Sequence, residues 1–197
     1  MTGHLLRIEG AEKVSGAARY AAEYPVAGVA YAAIVQATIA KGSIREVDAG
    51  AARALPGVHT VLSHANAPRL VPVDDGELAV LQTPRVSYRG QIVAAVVAET
   101  AELAREAASL VRVGYDPEPH AVELREDDPD LYAPDHVNPA FPTDTELGDF
   151  EAAFASAPVR VDETYRTPAE HNNPMEPHAT LAVWEGDRLT LYDSNQG

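Results

Sequence analysis

The 197-residue chain has no cysteine. It therefore forms no disulfide, supplies no thiolate to zinc and holds no iron–sulfur cluster, so any redox centre working with it belongs to a small molecule or another polypeptide. Positive charge is scarce: 15 Lys and Arg stand against 30 Asp and Glu, a net charge of -15. A surface this negative repels phosphate backbones and anionic headgroups, which argues against nucleic acid and membrane as partners. Its plainest consequence is solubility. Long apolar runs are missing too. The longest uncharged stretch, Tyr24 to Ala40, is interrupted by Gln36 and Thr38 and falls short of the roughly 20 residues that cross a bilayer. Glu9, Glu12 and Glu23 spoil the positive region a secretory signal needs, so the expected location is cytoplasmic. No glycine pattern of the dinucleotide or P-loop kind occurs, and no HExxH spacing.

What is present suffices for a core: 46% of the residues are hydrophobic. Residues 1–24 have little periodicity and read as an extended arm. Gly28–Ala37 (GVAYAAIVQA) suits a strand buried on both faces. Ile44–Val47 predicts a short strand, and Asp48 a cap for a helix over Ala49–Leu55 that Pro56-Gly57 ends. Val58–Leu62 predicts a strand, and the prolines and Asp74-Asp75-Gly76 within 63–85 a long surface loop. Ile92–Ala98 (IVAAVVA) is the clearest strand. Thr100 caps the clearest helix, Ala101 to Leu110, with Leu103, Ala104, Ala107, Ala108 and Leu110 on one face. Val111–Tyr115 returns as a strand, giving a mixed first domain.

Pro117, Pro119, Pro129, Pro134, Pro139 and Pro142, set among acidic residues, mark a linker or extended strap. Beyond it Asp149 caps a short helix with Phe150 and Phe154 at i, i+4, stopped by Pro158. Val159–Tyr165 alternates like a strand, and Ala179–Trp184 with Leu189–Tyr192 reads as a hairpin around Glu185-Gly186-Asp187. One helix and three strands are too few to close a core of their own. The expected division is an arm over 1–12, a domain over 13–120, a Pro/acidic linker over 121–145 and the incomplete start of a second domain over 146–197.

The densest polar cluster is Glu170 through His178, with Glu170, His171, Glu176 and His178 as possible ligands. Pro174 and Pro177 forbid a helix that would align them, so an irregular loop is the preferred reading and no metal site is assigned. Ser194, His171 and Asp193 could be written as a hydrolytic triad, but nothing around Ser194 resembles a nucleophile elbow, and neighbours on a strand point to opposite faces. His59, His64, His120 and His136 stand apart from one another and suit surface or capping roles. Gln196 can only donate or accept hydrogen bonds, so its meaning depends on what faces it. No catalytic residue is assigned to this chain.

Several segments resemble one family. Lys13-Val14-Ser15-Gly16-Ala17-Ala18-Arg19-Tyr20, Leu55-Pro56-Gly57-Val58 and Tyr88-Arg89-Gly90-Gln91-Ile92-Val93-Ala94 with Val96-Val97-Ala98-Glu99-Thr100 resemble the α/β hammerhead domain of the xanthine dehydrogenase/aldehyde oxidase large subunit. Gly148-Asp149-Phe150, Tyr165-Arg166-Thr167-Pro168, Met175-Glu176-Pro177-His178-Ala179 and Leu181-Ala182-Val183-Trp184 into Asp193-Ser194-Asn195-Gln196 resemble the start of its molybdopterin-binding domain. The resemblance implies an α+β fold: a hammerhead domain, then an incomplete cofactor-binding domain. It implies a part in oxidising aldehydes or N-heterocycles with water as the oxygen source. Molybdopterin would sit in the complete enzyme, with Fe–S and FAD on partner subunits. Gln196 matches the family glutamine that donates a hydrogen bond to the apical oxo ligand of molybdenum. The pterin loops and glutamate base of the family are expected in further chain, so the 197 residues alone are expected to be inactive and to bind no cofactor. The competing expectation is a stand-alone, non-catalytic hammerhead module that docks partner subunits.

Overall fold

The computed structural model describes residues 7–72, 79–138, 141–168, 170, 173, 175 and 178–194. Two compact units emerge, Val26–Asp128 and a second made of Met1–Pro25 with Pro129–Gly197.

In the first unit, β1 (Tyr31–Gln36), β3 (Val58–Ser63) and β5 (Ile92–Ala98) form one antiparallel sheet in the order β1-β5-β3. A second antiparallel sheet runs β4 (Arg85–Val86), β2 (Gly42–Asp48), β6 (Arg112–Pro117). Helix α3 (Ala101–Leu110) starts where the Thr100 hydroxyl accepts from the Leu103 amide at 3.1 Å. Its Ala104 and Ala107 are buried, and Ala107 belongs to the same core as Ala94 and Val96 of β5. Small side chains on both partners let helix and sheet approach closely, so the core is dense although built from Ala and Val. A second cluster, Ala37, Ile44, Val86 and Val93, joins residues of both sheets. Gly42 opens β2 where a Cβ would lie 2.3 Å from the Asp116 carbonyl oxygen, so only glycine permits that pairing with β6. Arg45 reaches Asp116 at 3.1 Å and Arg85 reaches Glu118 at 3.3 Å across the same sheet.

The strand expected at Gly28–Ala37 is shorter, and it is not buried on both faces. It is an edge strand, with Ile34 52% exposed, because β5 lies between β1 and β3 and takes the central place. The helix expected over 49–55 is one turn, Gly50–Arg53 (α2), entered through an Asp48 carboxylate that accepts from the Gly50 amide at 2.9 Å.

The second unit differs from expectation at its N-terminal part. Residues 10–15 form a helix, α1 (Gly10–Ser15), rather than an extended arm. Gly16 takes φ 73, and the Ala17 amide donates to the Glu12 carbonyl at 2.8 Å, a Schellman closure that needs a left-handed residue. A 3-10 turn follows over Ala21–Glu23, where the Glu23 carboxylate accepts from the Tyr20 amide at 2.8 Å. A small ladder pairs β7 (His136–Asn138) with β8 (Phe141–Pro142) inside the Pro-rich strap. Helix α4 (Phe150–Ser156) begins at Asp149, whose carboxylate accepts from the Ala152 amide at 2.9 Å. Phe150 stacks on Phe154 with centroids 5.4 Å apart, and the Arg160 guanidinium lies 5.9 Å from the Phe154 ring centre. Val159–Tyr165 forms no strand: Val159 and Tyr165 are more than three-quarters exposed. Alternation alone cannot hold a strand without a neighbour to complete its hydrogen bonds. The hairpin is present as β9 (Thr180–Glu185) and β10 (Arg188–Asp193). Its two-residue turn has Gly186 at φ 61, the conformation a tight hairpin requires at that place.

Candidate functional site

The hairpin ends at Asp193, three residues before Gln196 in the sequence. At its open end the Ser194 hydroxyl accepts from the Ala179 amide at 3.1 Å, and the Ser194 amide donates to the Ala179 carbonyl at 3.3 Å. One residue in, the Thr180 hydroxyl donates to the Asp193 carboxylate. These contacts hold the two strand ends together immediately before Asn195-Gln196. Gln196 itself lies outside the described residues, as do His171, Glu176 and Pro177 of the polar cluster.

The hydrolytic alternative finds no support in this geometry. Ser194 and Asp193 each turn to the opposite strand of the hairpin and serve to close it. Among the described residues no three His, Asp or Glu side chains gather where a metal ion could sit. His59 is exposed, and a His120 ring nitrogen lies 3.1 Å from the Glu118 carbonyl oxygen, both consistent with surface roles. His64 is half-buried, with an enclosed Nδ1 that meets no partner among the described residues.

The two faces of the hairpin are unlike. Leu181, Val183, Thr190 and Tyr192 are half-buried, and Tyr192 stacks on Tyr24 with centroids 4.3 Å apart. The other face carries Ala182, Trp184, Leu189 and Leu191, all exposed, Trp184 at 66%. Sequence reasoning treated Leu181–Trp184 as one arm of a hairpin without drawing out this face. The signal was there, because four successive apolar residues leave neither face of a strand polar.

Two domain families match in tandem: the a/b hammerhead domain of aldehyde oxidase and xanthine dehydrogenase over residues 15–119, and the molybdopterin cofactor-binding domain over residues 132–197. The chain belongs to the aldehyde oxidase and xanthine dehydrogenase family. It is 42% identical over 192 residues to the aldehyde oxidoreductase molybdenum-binding subunit PaoC of Escherichia coli K12, an alignment covering 96% of this chain and 26% of that subunit. It is 28% identical over 200 residues to the nicotinate dehydrogenase large molybdopterin subunit of Eubacterium barkeri, covering 97% of this chain and 46% of that one. The aldehyde oxidoreductase of Desulfovibrio gigas shares the fold, with a TM-score of 0.66 at 24% identity over 95% of this chain and 23% of that one. The chain thus spans about a quarter of the length of PaoC and less than half of the nicotinate dehydrogenase subunit.

An anionic pterin cofactor needs a cradle of converging donors. At the open end of the hairpin the Ser194 and Ala179 amides are engaged in closing it, so these two donors do not fit the group by themselves.

Proposed function

We propose that this chain is the N-terminal part of the cofactor-binding subunit of a molybdenum hydroxylase that oxidises aldehydes or N-heterocycles with oxygen taken from water. The observation that carries the reading is the tandem of two family matches in the order hammerhead, then cofactor-binding domain, with 42% identity to an aldehyde oxidoreductase subunit across 96% of the chain. In this reading the domain limits are 13–120 and 146–197, joined by the strap at 121–145 and preceded by the arm at 1–12. The rest of the subunit supplies the remaining cofactor contacts, while separate Fe–S and FAD subunits carry electrons away. The absence of cysteine agrees with that division of labour. No helix among the described residues is long and apolar enough to cross a membrane, and we place the complex in the cytoplasm. Gln196 is the residue of this chain that faces the bound cofactor, as a hydrogen-bond donor.

The test is a chimera in which residues 1–197 replace the matching quarter of the Escherichia coli subunit, coexpressed with the other subunits of that enzyme. Molybdenum incorporation and aldehyde oxidation are expected. A soluble chimera without molybdenum would overturn the reading. Within the chimera, Gln196→Ala should lower turnover about ten- to a thousandfold, the usual loss for one positioned donor. Molybdenum content and thermal stability should stay unchanged. Unaltered turnover would remove Gln196 from the site.

A further inference from the structure

We infer that the open edge of β1 pairs with the same edge of a second copy of this chain, joining two sheets across a two-fold axis. The inference is independent of the family reading above.

The two sheets of the first unit end in the edge strands β1, β3, β4 and β6, and three of these are guarded. On β3 the Val61 carbonyl accepts from Arg53 Nη2 at 3.3 Å and from Asn66 Nδ2 at 2.9 Å. The Ser63 amide of the same strand donates to Asn66 Oδ1 at 2.8 Å. Beside β4, Gln91 donates to the Arg85 carbonyl at 2.9 Å and accepts from the Ser87 amide at 2.7 Å. Strand β6 carries Arg112, Asp116 and Pro117, and Arg45 bonds both the Tyr115 carbonyl and the Asp116 carboxylate. Bonded side chains, charges and proline keep a sheet edge from further pairing. On β1 these guards are missing. Its sequence, Tyr-Ala-Ala-Ile-Val-Gln, has no charge and no proline. Its one strand neighbour is β5, and among the described residues no side chain or loop bonds the backbone of its other edge. Tyr31, Ala32 and Ile34 are exposed there. A row of unpaired amides and carbonyls of this kind is a template for another strand.

The strand is complementary to itself. With the two-fold axis at Ala33, Ala33 faces its own counterpart, Ala32 faces Ile34 of the second copy and Tyr31 faces its Val35. Small residues then meet larger ones on each face, and Gln36, which leaves the regular register with β5, stays outside the pairing. Charge selects a second copy as the occupant. A basic partner would be drawn to the acidic surfaces of a chain with net charge -15 rather than to this strand. β1 lies instead in the longest uncharged stretch, Tyr24 to Ala40, where two acidic copies meet with least repulsion. The paired edge is short and the dimer correspondingly weak. Repulsion between the rest of the two copies is screened by salt, so association strengthens as salt is raised, the opposite of an ion-paired contact.

Sedimentation of the 197-residue chain should show a monomer–dimer equilibrium that shifts to dimer with chain concentration and with salt. Ala32→Lys puts a charge on the edge while lowering the net negative charge of each copy. It should weaken dimerisation about tenfold or more and leave amide exchange on β5 unchanged. Because the chain has no cysteine, Ala33→Cys introduces a single thiol that faces its counterpart within the span of a disulfide. Mild oxidation should link two such copies, and Tyr31→Cys, two residues from the axis, should link about tenfold more slowly or worse. A monomer at every concentration and salt level would overturn the inference. A dimer that salt weakens, or that Ala32→Lys leaves intact, would place the contact elsewhere and overturn it too. A monomeric chain whose β1 amides gain protection only inside the chimera would give the edge to the further length of the subunit. That outcome sinks the pairing of copies while the family reading stands.

Discussion

The two units of this chain are assembled from similar parts and end in different states of completion. Val26–Asp128 holds thirteen of the fourteen buried hydrophobic residues described, from Ala37 to Val111, whereas the other unit holds Ala21. Both contain helices with side-chain caps of the same kind, Thr100 on α3 and Asp149 on α4. Both contain antiparallel sheets, whose partners are distant in sequence in the first unit and include a tight hairpin in the second. Yet α3 seats Ala104 and Ala107 in a core, while α4 buries no residue. Local signals such as helix caps therefore suffice to specify a helix in either unit. Burial requires a second layer, and the first unit supplies its own by placing α3 on a sheet whose second partner is another sheet.

The sharpest way to test this difference is a charge in each unit. Val96 on the central strand β5 is fully buried, and Val96→Asp would strand a carboxylate there, at a cost of roughly 4 kcal/mol or more. Urea unfolding followed by amide exchange on β5 should show the first unit largely unfolded. Trp184→Asp, on the exposed hairpin face, should change the unfolding free energy by less than about 0.5 kcal/mol. An equal loss at both positions would mean that Trp184 has a partner within the chain and that the units do not differ as described. A smaller contrast lies between two glycines. Gly42→Ala drives a Cβ to 2.3 Å from a backbone oxygen and should cost about 2 kcal/mol or more. Gly186 has φ 61 and nothing near its Cβ position, so Gly186→Ala carries only the left-handed backbone penalty of roughly 1 kcal/mol.

The caps give a finer comparison. Thr100→Ala should lower the stability of the first unit by about 1 kcal/mol, because α3 is part of its cooperative core. Asp149→Ala removes an equivalent bond to the Ala152 amide, but nothing buried depends on α4. Faster exchange at the α4 amides with an unchanged melting transition in the first unit is the expected outcome. Coupled loss in both would show that α4 contributes to the folding of the first unit.

Much of this was legible in the sequence for reasons the two units share. Ile92–Ala98, the Thr100 cap, the Asp149 cap and the Gly186 turn each announce themselves within a few residues. What could not be read depended on neighbours. Gly28–Ala37 looks doubly buried by composition, yet its exposure follows from the position of β5 in the sheet order, which no local pattern encodes. Val159–Tyr165 alternates correctly and still forms no strand. Helix α1 was hidden because its closure depends on the Gly16 conformation and on a carbonyl four residues before it, whereas its interior lacks an apolar stripe. The hairpin that leads to Gln196 was visible from Ala179 to Tyr192, but the Ser194–Ala179 clamp that closes it was not, since a serine at a strand end has many possible partners.

The smallest expected effect concerns acid stability and lies at the very end of the first unit. Arg125 donates to both oxygens of Asp127, Nε to Oδ1 at 3.0 Å and Nη2 to Oδ2 at 2.9 Å, in an exposed bidentate pair. That hydrogen bonding, followed by main-chain hydrogen bonding at Asp127, holds its carboxyl below the usual aspartate range. A carboxyl depressed in the folded state stabilises that state above its unfolded pKa, and the contribution disappears as pH falls through the lower, folded value. The pair is solvent-exposed and its members are two residues apart, so part of the contact survives unfolding and salt screens the rest. A carboxyl-carbon NMR titration of the whole chain should find the Asp127 midpoint depressed, and Arg125→Ala should return it toward the ordinary value. High salt should shrink the depression without abolishing it, because the two hydrogen bonds are less easily screened than a bare charge pair. The same Arg125→Ala change should leave amide exchange on β5 untouched. A measurable loss there would mean that the strap near Asp128 braces the core of the first unit, and the contrast between a self-sufficient unit and its attached segments would have to be redrawn at that point.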